Sequence, residues 1–204
     1  MEIISTLQEL FLENDVSSLA LTLNLGLDDR HGMYDCNTTH RHQHTDALDD
    51  IGQWLAWLKQ QGVKDVVLLG HSRGGNQTAW FAAERDDPAI SKIVLVAPQT
   101  WDKDEDAAGY EKRYGKPLGS ILAKANDLVS QQKGDTMLEK VDFVYCAGTS
   151  ATASAFASYY NPEPRLDSVY LLPKIGKPVL VFIGSEDKIS QGLSKKLAAL
   201  ADPS

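Results

Sequence analysis

A chain of 204 residues, 43% hydrophobic and 24% charged, is long enough to bury one large core and has the makeup of an ordinary globular domain. Its net charge of −8, from 20 basic and 28 acidic side chains, excludes nucleic acid and anionic membrane as main partners. No apolar run reaches the roughly 18 residues of a membrane span, and Met1–Leu10 lacks the basic and apolar regions of a signal peptide, so a cytoplasmic location is expected.

Residues 2–13 read as an amphipathic helix, with Ile3, Ile4, Leu7, Leu10 and Phe11 at helical spacing. Asn14-Asp15 stops it, and 17–25 alternates well enough for a buried strand. A polar loop from Gly26 to Thr45 carries His40, His42 and His44. Thr45 is the expected N-cap of a helix through residue 60, striped by Leu48, Ile51, Leu55 and Leu58 and ended by Gly62. A strand over 65–69 runs into Gly70-His71-Ser72-Arg73-Gly74-Gly75, and a helix follows to about Asp86. Ile93–Ala97 is the next strand, ended by Pro98. This alternation of helix and strand predicts an α/β fold with a parallel sheet covered on both faces.

Residues 100–172 break the rhythm and read as a mostly helical insertion, its small-residue stretch 147–156 as a tightly packed helix or turn. The core is thus assigned to 1–99 and 173–204. Val179–Ile183 forms another strand, ended by Gly184-Ser185-Glu186-Asp187, and a last helix spans about 190–201.

The chemistry centres on Ser72. Gly-x-Ser-x-Gly between strand and helix is the context of a nucleophile elbow, a turn that projects the serine hydroxyl from a strand end. Gly70 and Gly74 remove side chains that would collide as strand and helix fold back. A serine nucleophile needs a base, an acid to orient that base, and backbone donors for the oxyanion. Arg73, through its backbone N–H, is the oxyanion candidate; its guanidinium meets either a substrate anion or, as favoured here, solvent and a surface carboxylate. Asp187 is the preferred acid because it follows a strand at the sheet's carboxyl edge; Asp102 and Glu186 are the alternatives. The five histidines all lie at or before His71, which adjoins the serine and so points away from the site. The loop histidines, with Cys36 nearby, read as solvated; a metal site or an unorthodox base are the other readings. Cys36 and Cys146 are too far apart in sequence to announce a disulfide framework, which agrees with a reducing compartment, and neither has the context of a catalytic thiol.

Gly70–Gly75 after a strand, Ile93–Pro98, the helical insertion, and Pro178–Asp187 ending in Gly-Ser-Glu-Asp together resemble the α/β-hydrolase family. The resemblance covers most of the chain. It implies a doubly wound sheet with a cap over 100–172, a serine hydrolase acting on a carboxylic ester, thioester or amide, Ser72 as nucleophile, Asp187 as acid, a small-molecule acyl substrate, and neither metal nor cofactor. It also implies an oxyanion-loop strand ahead of residue 2 and a histidine beyond Ser204, so the chain reads as an incomplete and nearly inactive piece. A non-catalytic binding protein on the same scaffold, or a metal-dependent hydrolase using His40–His44, are the competing functions. Tyr110, Tyr114, Tyr145, Phe156, Tyr159 and Tyr160 are scattered through the insertion, and which of them face the serine would set substrate choice.

Overall fold

The computed structural model describes residues 2–186 and 192–201. The elements are α1 (Glu2–Glu13), α2 (Asp46–Gln60), β1 (Val66–His71), α3 (Arg73–Glu84), β2 (Ile90–Val96), α4 (Lys103–Tyr114), α5 (Leu118–Ser130), β3 (Met137–Phe143), β4 (Cys146–Thr152), α6 (Ala153–Tyr160), α7 (Ser168–Leu171), β5 (Val179–Phe182) and α8 (Leu193–Ala201).

β1, β2 and β5 form a parallel sheet with β2 in the middle. Val66-Val67-Leu68-Leu69 and Ile93-Val94-Leu95 are apolar on both faces, as strands of a parallel sheet usually are. The faces nevertheless differ. Leu68, Gly70, Ile93, Leu95 and Val181 turn toward α3, whose Ala79, Trp80 and Phe81 are buried with them. On the opposite face Val67, Leu180 and Phe182 are 51%, 53% and 52% exposed. Among the described residues this second face is only partly covered, while the parallel sheet with helices packed on it is as expected.

The expected strand over 17–25 is also absent. The segment is irregular, and no ladder is formed there. Alternation alone makes no strand; unpaired backbone groups need a neighbouring strand to bond. A side-chain contact holds the segment instead: the Asp50 carboxylate in α2 accepts from the Asn24 backbone N–H at 2.7 Å and from the Asn24 amide. α2 begins where expected, but Thr45 makes no capping bond; the Asp46 carboxylate receives the Gln43 N–H at 2.7 Å. Gly62, at φ +85°, follows the helix end as its composition suggests.

The 100–172 stretch is not purely helical. β3 and β4 pair antiparallel in its middle, and the small-residue run becomes the end of β4 plus α6. Ala151, Ala153, Ala155 and Ala157 are buried there, because small side chains let α6 sit close to the hairpin and α5. This lobe has its own core of Tyr110, Leu138, Val141, Phe143 and Phe156, whereas Leu166, Leu171 and Ile175 pack into the core beneath α3.

Cys36 and Cys146 are joined by a disulfide that ties the 26–45 loop to the hairpin across 110 residues of sequence. The reading of two unpaired cysteines is thereby corrected, and with it the ground for placing the chain in a reducing compartment. Sequence distance hid the pair because the fold, not the spacing, brings loop and hairpin together. No helix among the described residues is long and apolar enough to cross a membrane.

Candidate active site

β1 ends in a sharp turn at Ser72, whose backbone sits at φ 54°, ψ −122°. Non-glycine residues reach this region only when their surroundings hold them there. Here those surroundings are backbone bonds. The Ser72 N–H donates to Val96 O at 2.9 Å. The Ser72 carbonyl accepts from Gly75 N at 3.0 Å, Asn76 N at 3.3 Å and Gln99 N at 2.9 Å. The turn is thus clamped to both α3 and the chain leaving β2.

Two glycines permit this closeness. A Cβ on Gly70 would lie 2.4 Å from Thr78 Oγ1 and 2.5 Å from Gly74 O. A Cβ on Gly75 would lie 3.0 Å from Pro98 Cα. A Cβ on Gly74 would meet nothing within 4 Å. The steric need is therefore at Gly70 and Gly75; Gly74 contributes its backbone to the close approach, not a missing side chain.

Ser72 and His71 are both exposed. Among the described residues no side chain hydrogen-bonds the Ser72 hydroxyl. The Arg73 N–H opens the first turn of α3, where backbone donors have no intrahelical acceptor. The Arg73 guanidinium is not on the open surface: it is half-buried, 5.1 Å from the centroid of the Tyr159 ring. Burial of Asp106 pushes its carboxyl pKa up, and the charge of Arg73 pulls it back down. Asp102 has a structural task as the N-cap of α4, accepting from Asp104 N and Glu105 N. Asp187 lies outside the described residues. The chain approaching it is placed: Ala97 N donates to Phe182 O at 2.8 Å, so β5 ends at the sheet edge that carries Ser72. Glu186 is exposed.

The loop histidines are the largest departure from expectation. His40, His42 and His44 are 2%, 4% and 1% exposed, not solvated. Arg41 and Gln43 between them face out. The segment runs extended against β4, with His40 N donating to Ser150 O and Thr152 N donating to His40 O. The period-two pattern of His-Arg-His-Gln-His was the available signal. His40 stacks on Tyr34 at 4.4 Å, and His42 packs edge-on to Tyr159 at 5.3 Å. His42 Nδ1 is 2.9 Å from the Tyr159 hydroxyl, and His42 Nε2 is 3.3 Å from His40 Nδ1.

His44 Nε2 is 2.9 Å from Asn76 Oδ1. The Asn76 amide nitrogen donates to Arg165 O and Ser168 Oγ, which leaves Oδ1 facing the ring, so His44 Nε2 carries the proton. Burial, as the largest cause, lowers all three imidazoles to about 4 and keeps them neutral at pH 7. Four of their six ring nitrogens face each other, Tyr159 and Asn76, while His40 Nε2 and His44 Nδ1 are buried with no hydrogen-bond partner among the described residues. No group of three or more His, Cys, Asp or Glu side chains among the described residues is arranged to hold a metal ion.

Residues 25–202 match the family model described as serine aminopeptidase, S33. The chain belongs to this family of α/β-hydrolases. It is 21% identical over 122 residues to a Mycoplasma pneumoniae protein named "Putative esterase/lipase 3", a match covering 53% of this chain and 45% of that protein. A monoacylglycerol lipase of Paleococcus ferrophilus overlaps 76% of this chain and 60% of its own, at 18% identity and a TM-score of 0.48. A siderophore hydrolase of Aspergillus fumigatus overlaps 76% and 61%, at 19% identity and a TM-score of 0.45. The matched region thus spans about half the length of the curated relative.

Proposed function

We propose that this α/β-hydrolase chain carries the nucleophile of an acyl hydrolase acting on a carboxylic ester, thioester or amide. The observation that carries the reading is the clamped, positive-φ turn at Ser72, with an exposed serine at the head of α3 and the Arg73 N–H beside it. In this reading Ser72 attacks the acyl carbonyl, the Arg73 N–H stabilises the oxyanion, and Asp187 serves as orienting acid. The 100–172 segment caps the site. Family membership supports acyl hydrolysis, and the name of the Mycoplasma relative points toward esters.

A base is the part this chain lacks in the expected order, since no histidine follows Asp187. Without it the serine oxygen keeps its proton, and turnover falls to what binding and the oxyanion donors give alone. A second reading is a binding protein on the same scaffold. Fluorophosphonate labelling separates the two. Under the hydrolase reading a protein extended to include a downstream histidine labels at Ser72, and Ser72→Ala abolishes the label. No Ser72-dependent label in that extended protein leaves the binding reading standing. Rapid Ser72-dependent turnover of an activated ester by the 204-residue chain itself would overturn the account of the base.

A further inference from the structure

Arg73 has a position that neither the elbow nor the oxyanion role explains. Its backbone serves the turn, but its side chain is free to go elsewhere. The half-buried guanidiniums among the described residues are those of Arg30, Arg73 and Arg165. Arg30 donates to Leu23 O and Gly32 O. Arg165 is held by Glu84 and Glu163. Arg73 is hydrogen-bonded to no carboxylate or carbonyl among the described residues, although its charge reaches the Asp106 carboxyl; it lies over the face of Tyr159. Tyr159 is itself fixed, its hydroxyl against His42 Nδ1 and its ring edge-on to His42, His44 and Phe143.

A cation–π contact returns about 0.5–2 kcal/mol. Among the described residues no protein group accepts from its five donors, which leaves them to water or to a ligand. The neighbouring imidazoles are neutral and add no positive charge. One cation with a planar fork suits one carboxylate, bound by two parallel N–H···O contacts. A phosphate dianion would leave charge over against this one guanidinium.

We propose that the Arg73 guanidinium is a specificity element that binds a free carboxylate on the substrate, so that the preferred substrates are monoesters or related acyl derivatives of dicarboxylic acids. This rests on the hydrolase reading above for the word substrate; carboxylate binding itself does not. The rigid Tyr159 platform holds the guanidinium one residue from the nucleophile, where it would register the acyl chain against Ser72.

Equilibrium binding tests this without requiring turnover. The full chain carrying Ser72→Ala is titrated calorimetrically with 4-nitrobenzyl hydrogen succinate and with its neutral methyl ester. The expected result is at least tenfold tighter binding of the acid. Adding Arg73→Gln brings the ratio to within about twofold, and Arg73→Lys restores part of it, because a point charge replaces the fork. Circular dichroism and thermal midpoints verify that each variant is folded. An equal ratio with Arg73 and Arg73→Gln, or no preference for the acid at all, overturns the proposal. Arg73-dependent preference for the acid without any Ser72-dependent hydrolysis in the extended protein upholds the carboxylate site and sinks the hydrolase reading instead.

Discussion

At Gly70 and Gly74 the same residue type carries opposite constraints. Gly70→Ala drives a methyl group into Gly74 O and Thr78 Oγ1, and neither strand nor helix can yield without opening the elbow. The expected loss is about 3 kcal/mol or more, read as a drop in the urea midpoint. Gly74→Ala places its methyl in open space, and the expected change is within about 0.5 kcal/mol. Ser72 stores strain of its own. Ser72→Gly removes the Cβ from a positive-φ position and is expected to raise stability by about 1 kcal/mol while removing the nucleophile. A fall in the same urea midpoint would show that the Ser72 side chain contributes more than its backbone costs. Gain of stability on losing a residue is the mark of a position shaped for chemistry.

At the scale of elements, the contacts that hold the 26–45 loop include the Cys36–Cys146 disulfide, the His40 bridge to β4, and the bond from His44 to Asn76 in α3. It therefore couples the hairpin lobe to the elbow helix. Closing so long a loop removes much of the unfolded chain's freedom, worth about 4 kcal/mol in the chain-entropy view. Paired Cys36→Ser and Cys146→Ser substitutions are expected to lower stability by up to that amount. Thiol titration of the unfolded native chain should find no free thiol before reduction and two after it. Two free thiols before reduction would remove the disulfide from this account.

At the scale of the whole molecule, three buried neutral histidines set the response to acid. Their folded pKa values near 4 lie below the ordinary 6.5, so the unfolded chain binds protons first as pH falls. Their contribution is complete above about pH 6.5 and declines down to about pH 4, below which both states are protonated. Each histidine contributes a slope of about 1.4 kcal/mol per pH unit in that window. Urea melts at pH 7.5, 6 and 5 measure it. A flat profile across that range would mean that the imidazoles are hydrated in solution, contrary to their burial here.

The pattern Val-Val-Leu-Leu-Gly-His-Ser-Arg-Gly-Gly determined the elbow, because strand, turn and helix signals within a few residues are local and steric. Leu48, Ile51 and Leu55 likewise determined α2, since one helical stripe needs no partner to be recognised. What depends on partners was decided by the tertiary structure alone. The alternation over 17–25 gave no strand because no described strand lies beside it to bond. Cys36 found Cys146, and His40, His42 and His44 went inward, because the hairpin over 137–152 and α6 behind it offered them a wall of Phe143 and Tyr159. Arg73 is half-buried for the same reason: the Tyr159 ring was there to receive it, and nothing near Arg73 in the sequence says so.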